Sequence, residues 1–251
     1  MSKHDLAIDP PLMNAAGSLG FSPDLYCPMD WSRMGAFVTN PISLMPRTPA
    51  RGKRFIAYPG GFLLHTGFPN PGLSHVLRRY AAQWSRSTIQ VMVHLLAQSP
   101  EEVMKMGRQL ESVEGVVGLE VGVASDASAE MVVALTQAAS GELPVIMCLP
   151  VERSVELAAN AMEAGADAIS LAPPRGVYPS EGEMVQGRLY GPAILPLALR
   201  MVRELSRLGI PTIGAGGIYT LEHKDAMLAV GALAVQLDSV LWRGAGTNLL
   251  T

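Results

Sequence analysis

The sequence predicts an α/β fold, and within that class a single (β/α)8 barrel, from three observations. Its 251 residues match the usual length of one such barrel. Eight short apolar segments alternate with helical segments at intervals of roughly 30 residues. Most apolar segments are continuous runs, as parallel strands covered on both faces require. An open doubly wound sheet is the alternative that the same alternation allows.

The predicted elements follow one another in a regular order. Ser22-Pro23-Asp24 has the composition of a helix start, and Ser99-Pro100-Glu101-Glu102 that of a capping box. Strands are predicted at 13–15, 36–39, 88–94, 117–123, 143–149, 167–171, 210–214 and 233–237, and helices at 100–114, 127–139, 153–164, 193–208 and 221–230. The remaining segment, 239–251, is too short for a full eighth helix, so we expect a truncated last helix and an imperfectly closed barrel.

Two connections are long, 40–72 and 172–191, and both follow strands. They therefore belong to the carboxyl-terminal mouth, where barrel enzymes place their sites. The first carries four basic residues: Arg47, Arg51, Lys53 and Arg54. These attract an anionic ligand or form a solvated loop, and the solvated loop is favoured. The second carries Arg175, Tyr178, Arg188 and Tyr190. We interpret these side chains either as a clamp for an anionic ligand or as hydrogen-bond partners of the loop backbone, and the second interpretation is favoured.

Composition narrows the class of protein further. The chain is 49% hydrophobic and 16% charged, which excludes a disordered protein. A net charge of −3 gives no excess of positive charge for binding nucleic acid or an anionic membrane. Two cysteines, Cys27 and Cys148, favour a reducing compartment over a disulfide framework. Neither a signal peptide nor a spanning segment is recognisable, so we expect a cytoplasmic protein that binds a small molecule.

Several blocks of the sequence, taken together and in order, resemble dihydroorotate dehydrogenase. They are Asn14-Ala-Ala-Gly-Ser-Leu-Gly-Phe21, Pro59-Gly-Gly61, Gly67-x-x-Asn70-Pro-Gly72, Gly165-Ala-Asp-Ala168, Gly191-Pro-Ala-Ile194 and Ile210-Pro-Thr-Ile-Gly-Ala-Gly-Gly-Ile218. The resemblance covers nearly the whole chain and implies one barrel domain, 1–251, that binds flavin mononucleotide (FMN) and oxidises dihydroorotate. The positions it implies for FMN are Ala15, Asn40, Gly191, Gly216, Gly217 and Ser239, and Asn70 is the position it implies for substrate.

Other positions depart from the family pattern. Asn40 and Cys148 stand where the family has flavin-binding lysines, and Leu64 where it has a substrate-binding asparagine. The fourth strand, with Glu120-Val-Gly-Val123, lacks the family's Cys or Ser base, and Pro173-Pro174 replaces an Asn-Thr pair. Since a positioned base contributes about 10²–10⁴ in rate, we expect no oxidation of dihydroorotate itself.

FMN binding is left open by the sequence. The loop Gly214-Ala-Gly-Gly217 offers backbone N–H groups to a phosphate or is a simple tight turn. Asp238-Ser239 replaces the family's Gly-Thr, which puts a carboxylate near the phosphate position.

Three strand ends carry reactive groups: His94, Glu120 and Cys148. We interpret them as candidate catalytic residues, with His94 as a base and Cys148 as a nucleophile. A zinc site has weaker support because no local ligand spacing accompanies these residues. A structural histidine, carboxylate and cysteine in the core form the alternative, and it is favoured.

Two functions follow from the sequence. The first is an FMN-dependent oxidoreductase of altered substrate range. The second is a pseudoenzyme, a non-catalytic partner or scaffold subunit that has lost the flavin chemistry. Either one is expected to be a homo-oligomer or to bind a partner subunit.

Overall fold

The computed structural model describes residues 6–24, 29–96 and 98–243 of the chain. Eight parallel strands form a closed barrel in the order β1-β12-β11-β8-β7-β6-β5-β2. This confirms the (β/α)8 barrel. The barrel strands are β1 (Leu12–Asn14), β2 (Ala36–Val38), β5 (Gln90–Leu95), β6 (Val116–Gly122), β7 (Val145–Pro150), β8 (Ala168–Ala172), β11 (Thr212–Ala215) and β12 (Ala234–Leu237).

Helices surround the barrel and begin where the sequence offers caps. Ser99, Ser128 and Thr220 each accept a hydrogen bond from a backbone N–H of the helix they precede. The helices are α1 (Leu73–Trp84), α2 (Pro100–Glu111), α3 (Ala129–Ala139), α4 (Ser154–Glu163), α5 (Leu195–Arg207) and α6 (Leu221–Ala229). Their apolar faces pack against the outside of the strands to form the larger of two hydrophobic clusters. The smaller cluster, which includes Met13, Met92 and Ile146, joins buried side chains from different barrel strands.

The two long connections fold into a second sheet that the sequence analysis did not predict. Each contains a hairpin, and the two hairpins join in the order β3-β4-β10-β9. The strands are β3 (Phe55–Tyr58), β4 (Gly61–Leu64), β9 (Arg175–Ser180) and β10 (Glu183–Tyr190). Phe62 of β4 lies opposite Tyr190 of β10, more than 120 residues later, and their rings stack at 5.4 Å. Glycines and prolines in these segments concealed the strands because both residues usually indicate loops.

Two further expectations were wrong. Ser22 and Asp24 are not helical, and a single 3-10 turn, Trp31–Arg33, precedes β2 among the described residues of that connection. Asp30 caps this turn, since its Oδ1 accepts a hydrogen bond from the Ser32 N–H at 3.1 Å. The Ser22-Pro23-Asp24 run misled because such a run suits a turn as well as a helix. The barrel is also fully closed, because β1 pairs with both β12 and β2. A 3-10 turn, Ser239–Arg243, follows β12, and residues 244–251 lie outside the described part.

A buried side chain strengthens the closure of the barrel. Strands β1 and β2 share one register pair, Met13 with Ala36. The Asn14 side chain extends this pairing: its Oδ1 accepts from the Val38 N–H at 2.9 Å and its Nδ2 donates to the Val38 carbonyl at 2.7 Å. Asn14 therefore replaces a missing main-chain partner at the place where β1 and β2 share a single register pair.

Among the helices of the described residues, none has the length and apolar character to span a membrane.

We predict that Asn14→Leu lowers the free energy of unfolding by about 2–4 kcal/mol, because two buried backbone groups of Val38 lose their partner. Urea denaturation followed by circular dichroism measures this loss. Gln137→Ala, on the exposed face of α3, is the control and should change stability by about 0.5 kcal/mol or less. An equal, small effect of both substitutions would contradict the role given to Asn14.

Candidate functional site

A cavity of about 920 Å³ opens at the carboxyl ends of the barrel strands. Its lining includes residues that directly follow strands, such as Ala15, Leu96, Val123, Gly216 and Asp238. The hairpin sheet contributes Arg188, Leu189 and Tyr190 to one wall. This is the end of the barrel at which enzymes of this fold carry their sites.

A hydrogen-bonded network around Glu120 forms the floor of the cavity. His94 Nδ1 lies 2.6 Å from Glu120 Oε2, and both side chains are buried. Ser170 Oγ and Gln236 Nε2 each donate to Glu120 Oε1 at 2.7 Å. Four different strands thus supply these four side chains, and both carboxylate oxygens are bonded. The structure brings His94 and Glu120 together, as the sequence analysis expected.

The charge of Glu120 follows from these bonds. Burial by itself raises the pKa of Glu120, but the hydrogen bond and charge of His94 and the bonds from Ser170 and Gln236 outweigh burial and hold the pKa below its usual value. An ionised carboxylate only accepts hydrogen bonds, so Nδ1 of His94 carries a proton. Nε2 is then the ring nitrogen that can take up a proton from a ligand.

A glycine gives the His94 ring its space. A Cβ atom on Gly122 would lie 2.8 Å from His94 Nε2. His94 and Gly122 both line the cavity, and the missing side chain of Gly122 leaves room beside Nε2. The position of the His94 ring, near the end of β5, therefore depends on the absence of a side chain at Gly122, at the end of β6.

Cys148 lies beside this network but in an unfavourable setting for a nucleophile. It is buried on β7, opposite Gly122 on one side and Ser170 on the other. Burial, followed by the negative charge of Glu120, raises the pKa of the Cys148 thiol far above its usual value. The thiol is therefore neutral at physiological pH, whereas a thiolate is the reactive form. Cys27 lies outside the described residues.

Comparisons with known proteins agree with the resemblance in the sequence. The chain is 30% identical over 256 residues to the dihydroorotate dehydrogenase B (NAD(+)) catalytic subunit of Pelobacter propionicus, which covers 91% of this chain and 83% of the relative. The chain belongs to the dihydroorotate dehydrogenase family. The subunits of the same name from Maridesulfovibrio salexigens and Trichlorobacter lovleyi are 31% and 29% identical and cover 93% and 91% of this chain and 84% and 83% of the relatives. No protein-family model matches the chain.

The binding positions implied by the dihydroorotate dehydrogenase family divide into two groups. Ala15 and Gly216 line the cavity. Asn40 instead accepts a hydrogen bond from the Gly20 N–H at 3.1 Å. Gly191 has φ 142°, and a Cβ there would collide with the Gly60 carbonyl; Gly217, with φ 73°, packs in the same way against the Leu195 backbone. Asn40, Gly191 and Gly217 are not among the residues that line the cavity.

Asn70, the position implied for substrate, holds a turn. Its Oδ1 accepts from the backbone N–H groups of Ser43 and Gly72 at 3.2 and 3.0 Å. Its Nδ2 donates to the Ser43 hydroxyl and the Phe68 carbonyl at 2.9 and 3.1 Å. With its side chain buried and fully engaged, Asn70 positions the loop that carries Phe68.

FMN is the cofactor that the dihydroorotate dehydrogenase family implies, and its phosphate would lie near the ends of β11 and β12. There, Asp238 Oδ1 accepts hydrogen bonds from both the backbone N–H and the hydroxyl of Ser239. The Ser239 hydroxyl also bonds the Tyr219 hydroxyl at 2.8 Å. Asp238 therefore occupies donors that a phosphate needs and adds an acid, whose pKa burial raises. This end of the cavity does not fit a phosphate dianion.

Sequence reasoning missed several residues of the cavity or underrated them. Gln236 and Ser170 point inward from β12 and β8 to Glu120, and a polar residue inside an apolar strand was the available signal. Ser125 is exposed in the turn after β6 and lines the cavity. Phe68 contacts Arg188, and no local pattern predicts a pair so distant in sequence.

In the described ranges, no group of three His, Cys, Asp or Glu side chains is arranged to hold a metal ion.

We predict that Cys148, in a Cys27→Ser background, reacts with iodoacetamide at pH 8 on the order of a hundredfold more slowly than a free thiol, because it is buried and neutral. Mass spectrometry of timed samples measures the rate. The same variant unfolded in guanidinium chloride is the control and should react at the rate of a free thiol. Rapid labelling of the folded protein would show that the thiol is activated.

We predict that Asp238→Gly increases the affinity for FMN at least about tenfold, because like charges 4 Å apart repel by about 4 kcal/mol at an effective dielectric constant of 20. Quenching of FMN fluorescence during titration gives the two dissociation constants. Glu163→Gln, which removes an exposed negative charge on α4, is the matched control and should leave the affinity unchanged. Equal affinities of the wild type and Asp238→Gly would contradict the misfit.

Proposed function

We propose that this chain is a small-molecule enzyme of the dihydroorotate dehydrogenase family in which His94 transfers a proton, and that it does not oxidise dihydroorotate. The observation that carries the proposal is the buried His94–Glu120 pair on the floor of the cavity. Within this proposal residues 1–251 act as one barrel domain in the cytoplasm.

His94 has the features of a general base or acid. Its Nδ1 is held by Glu120, which fixes the ring orientation and stabilises the ring when Nε2 becomes protonated. A base positioned in this way contributes about 10²–10⁴ in rate. Glu120 orients His94, and Ser170 and Gln236 keep Glu120 in place.

Oxidation of dihydroorotate has little support from this site. The two family lysines are replaced by Asn40, which bonds Gly20, and by the neutral Cys148. Asp238 opposes the phosphate of FMN. The change of side chains therefore favours an altered substrate range and proton transfer over the flavin chemistry of the family.

A second candidate function is a non-catalytic partner or scaffold subunit. Its support is that Glu120 has hydrogen-bond donors at both oxygens and His94 has a partner at Nδ1, as expected of a polar network that only stabilises a core. The two functions therefore differ in whether Nε2 of His94 exchanges a proton with a ligand in the cavity.

The test follows exchange of acidic C–H groups with D2O by proton NMR, over a panel of 2-oxo acids and cyclic amides that includes dihydroorotate. We expect at least one compound to exchange in the presence of the wild type and the rate to fall about a hundredfold or more in His94→Asn. Dihydroorotate should not be oxidised with any electron acceptor.

Cys148→Ala is the companion variant and should retain exchange, since a neutral buried thiol takes no part. Thermal melts of both variants exclude loss of the fold as the cause of a lower rate. Exchange at the wild-type rate in His94→Asn would refute proton transfer by this residue. No exchange of any compound by the wild type would favour the scaffold function, and rapid dihydroorotate oxidation would overturn both.

A further inference from the structure

The hairpin sheet places a positively charged side chain over the cavity. Arg188, near the end of β10, lines the cavity, and its guanidinium carbon lies 3.7 Å from the centre of the Phe68 ring. Its Nη2 donates to the Thr66 hydroxyl at 3.2 Å. Its Nε is buried without a hydrogen-bond partner in the described part of the chain. A guanidinium stacked on a ring keeps its planar orientation while N–H groups remain free for an acceptor.

The backbone beneath Arg188 is strained. Phe68 has φ 53°, a left-handed conformation that is unfavourable for a bulky residue. Its carbonyl accepts from Asn70 Nδ2, and its N–H donates to the Thr66 hydroxyl at 3.3 Å. The same hydroxyl therefore holds both Phe68 and Arg188. Strain that is maintained by surrounding bonds is typical of ligand clamps.

The charge of Arg188 is not neutralised by a neighbouring acid. No described carboxylate forms an ion pair with Arg188 or with Arg47, which also lines the cavity. Glu120 is paired with His94. Asp238 is the other acid near this wall, and its Oδ1 accepts hydrogen bonds from the backbone N–H and the hydroxyl of Ser239. Arg47 is held beside Asn70 by two backbone hydrogen bonds. Asn70 also bonds the carbonyl of Phe68, on which Arg188 stacks, so one loop supports both cations.

We propose that Arg188, supported by Phe68, binds the anionic group, a carboxylate or a phosphate, of the small molecule that occupies the cavity. This inference relies on the proposed function for the presence of a ligand and names the chemical class of that ligand. The fork of N–H groups matches the paired oxygens of either anion. Arg188 and the His94–Glu120 pair line the same cavity, so the anionic group of a ligand at Arg188 is held in the cavity that contains the proposed base.

The test measures binding without turnover, so its failure is distinct from failure of proton transfer. Inorganic phosphate and benzoate are titrated separately while the Arg188 Nε–H resonance is followed by nitrogen-15 NMR. We expect saturable binding of one anion or both, and the stronger one identifies the group. Arg188→Met, which retains an apolar contact with Phe68, should weaken binding about tenfold or more.

Two further variants sharpen the result. Arg203→Met removes a positive charge from the exposed face of α5 and should leave binding unchanged. Arg188→Lys keeps the charge without the fork and should bind more weakly than the wild type. The proposal is overturned if neither anion binds, if Arg188→Met binds as tightly as the wild type, or if Arg203→Met loses as much affinity as Arg188→Met. Tryptophan fluorescence melts show that each variant is folded.

Discussion

The site is organised by one constraint, the burial of the Glu120 carboxylate inside the barrel. A buried charge without partners is strongly unfavourable, so the surrounding strands must supply hydrogen-bond donors. His94, Ser170 and Gln236 do so from β5, β8 and β12. The network then fixes the His94 ring, and Gly122 on β6 leaves space for it. The identities of four side chains, and of the glycine beside His94, are thus linked through a single ion.

The barrel was predictable because its signals are local and repeated. Continuous apolar runs, helix caps such as Ser99 and Ser128, and regular spacing all indicate the same fold. The strand ends that carry His94 and Glu120 were predictable for the same reason, because parallel barrel strands end at one mouth. The hairpin sheet was not, since the pairing of Phe62 with Tyr190 depends on contact between distant segments whose prolines and glycines indicate loops.

Charge has been redistributed around the cavity relative to the pattern of the dihydroorotate dehydrogenase family. The resemblance implies lysines at the positions of Asn40 and Cys148, and Asp238 is an acid that directly follows β12. On the wall formed by the hairpin sheet, Arg188 supplies a cation that forms no ion pair with an acid among the described residues. An anionic ligand is therefore favoured at the hairpin wall and opposed at the ends of β11 and β12.

The same carboxylate also determines which member of the candidate cluster can act. The Glu120 carboxylate holds Nδ1 of His94, and after burial its negative charge is the main cause that raises the pKa of the Cys148 thiol. The negative charge of Glu120 therefore favours a base at His94 and disfavours a thiolate at Cys148. The positive charge of Arg188 acts on the pKa of the Cys148 thiol in the other direction, with a smaller effect than burial or Glu120. Because burial is the larger influence on the thiol, the balance favours His94 as the reactive group and Cys148 as part of the wall.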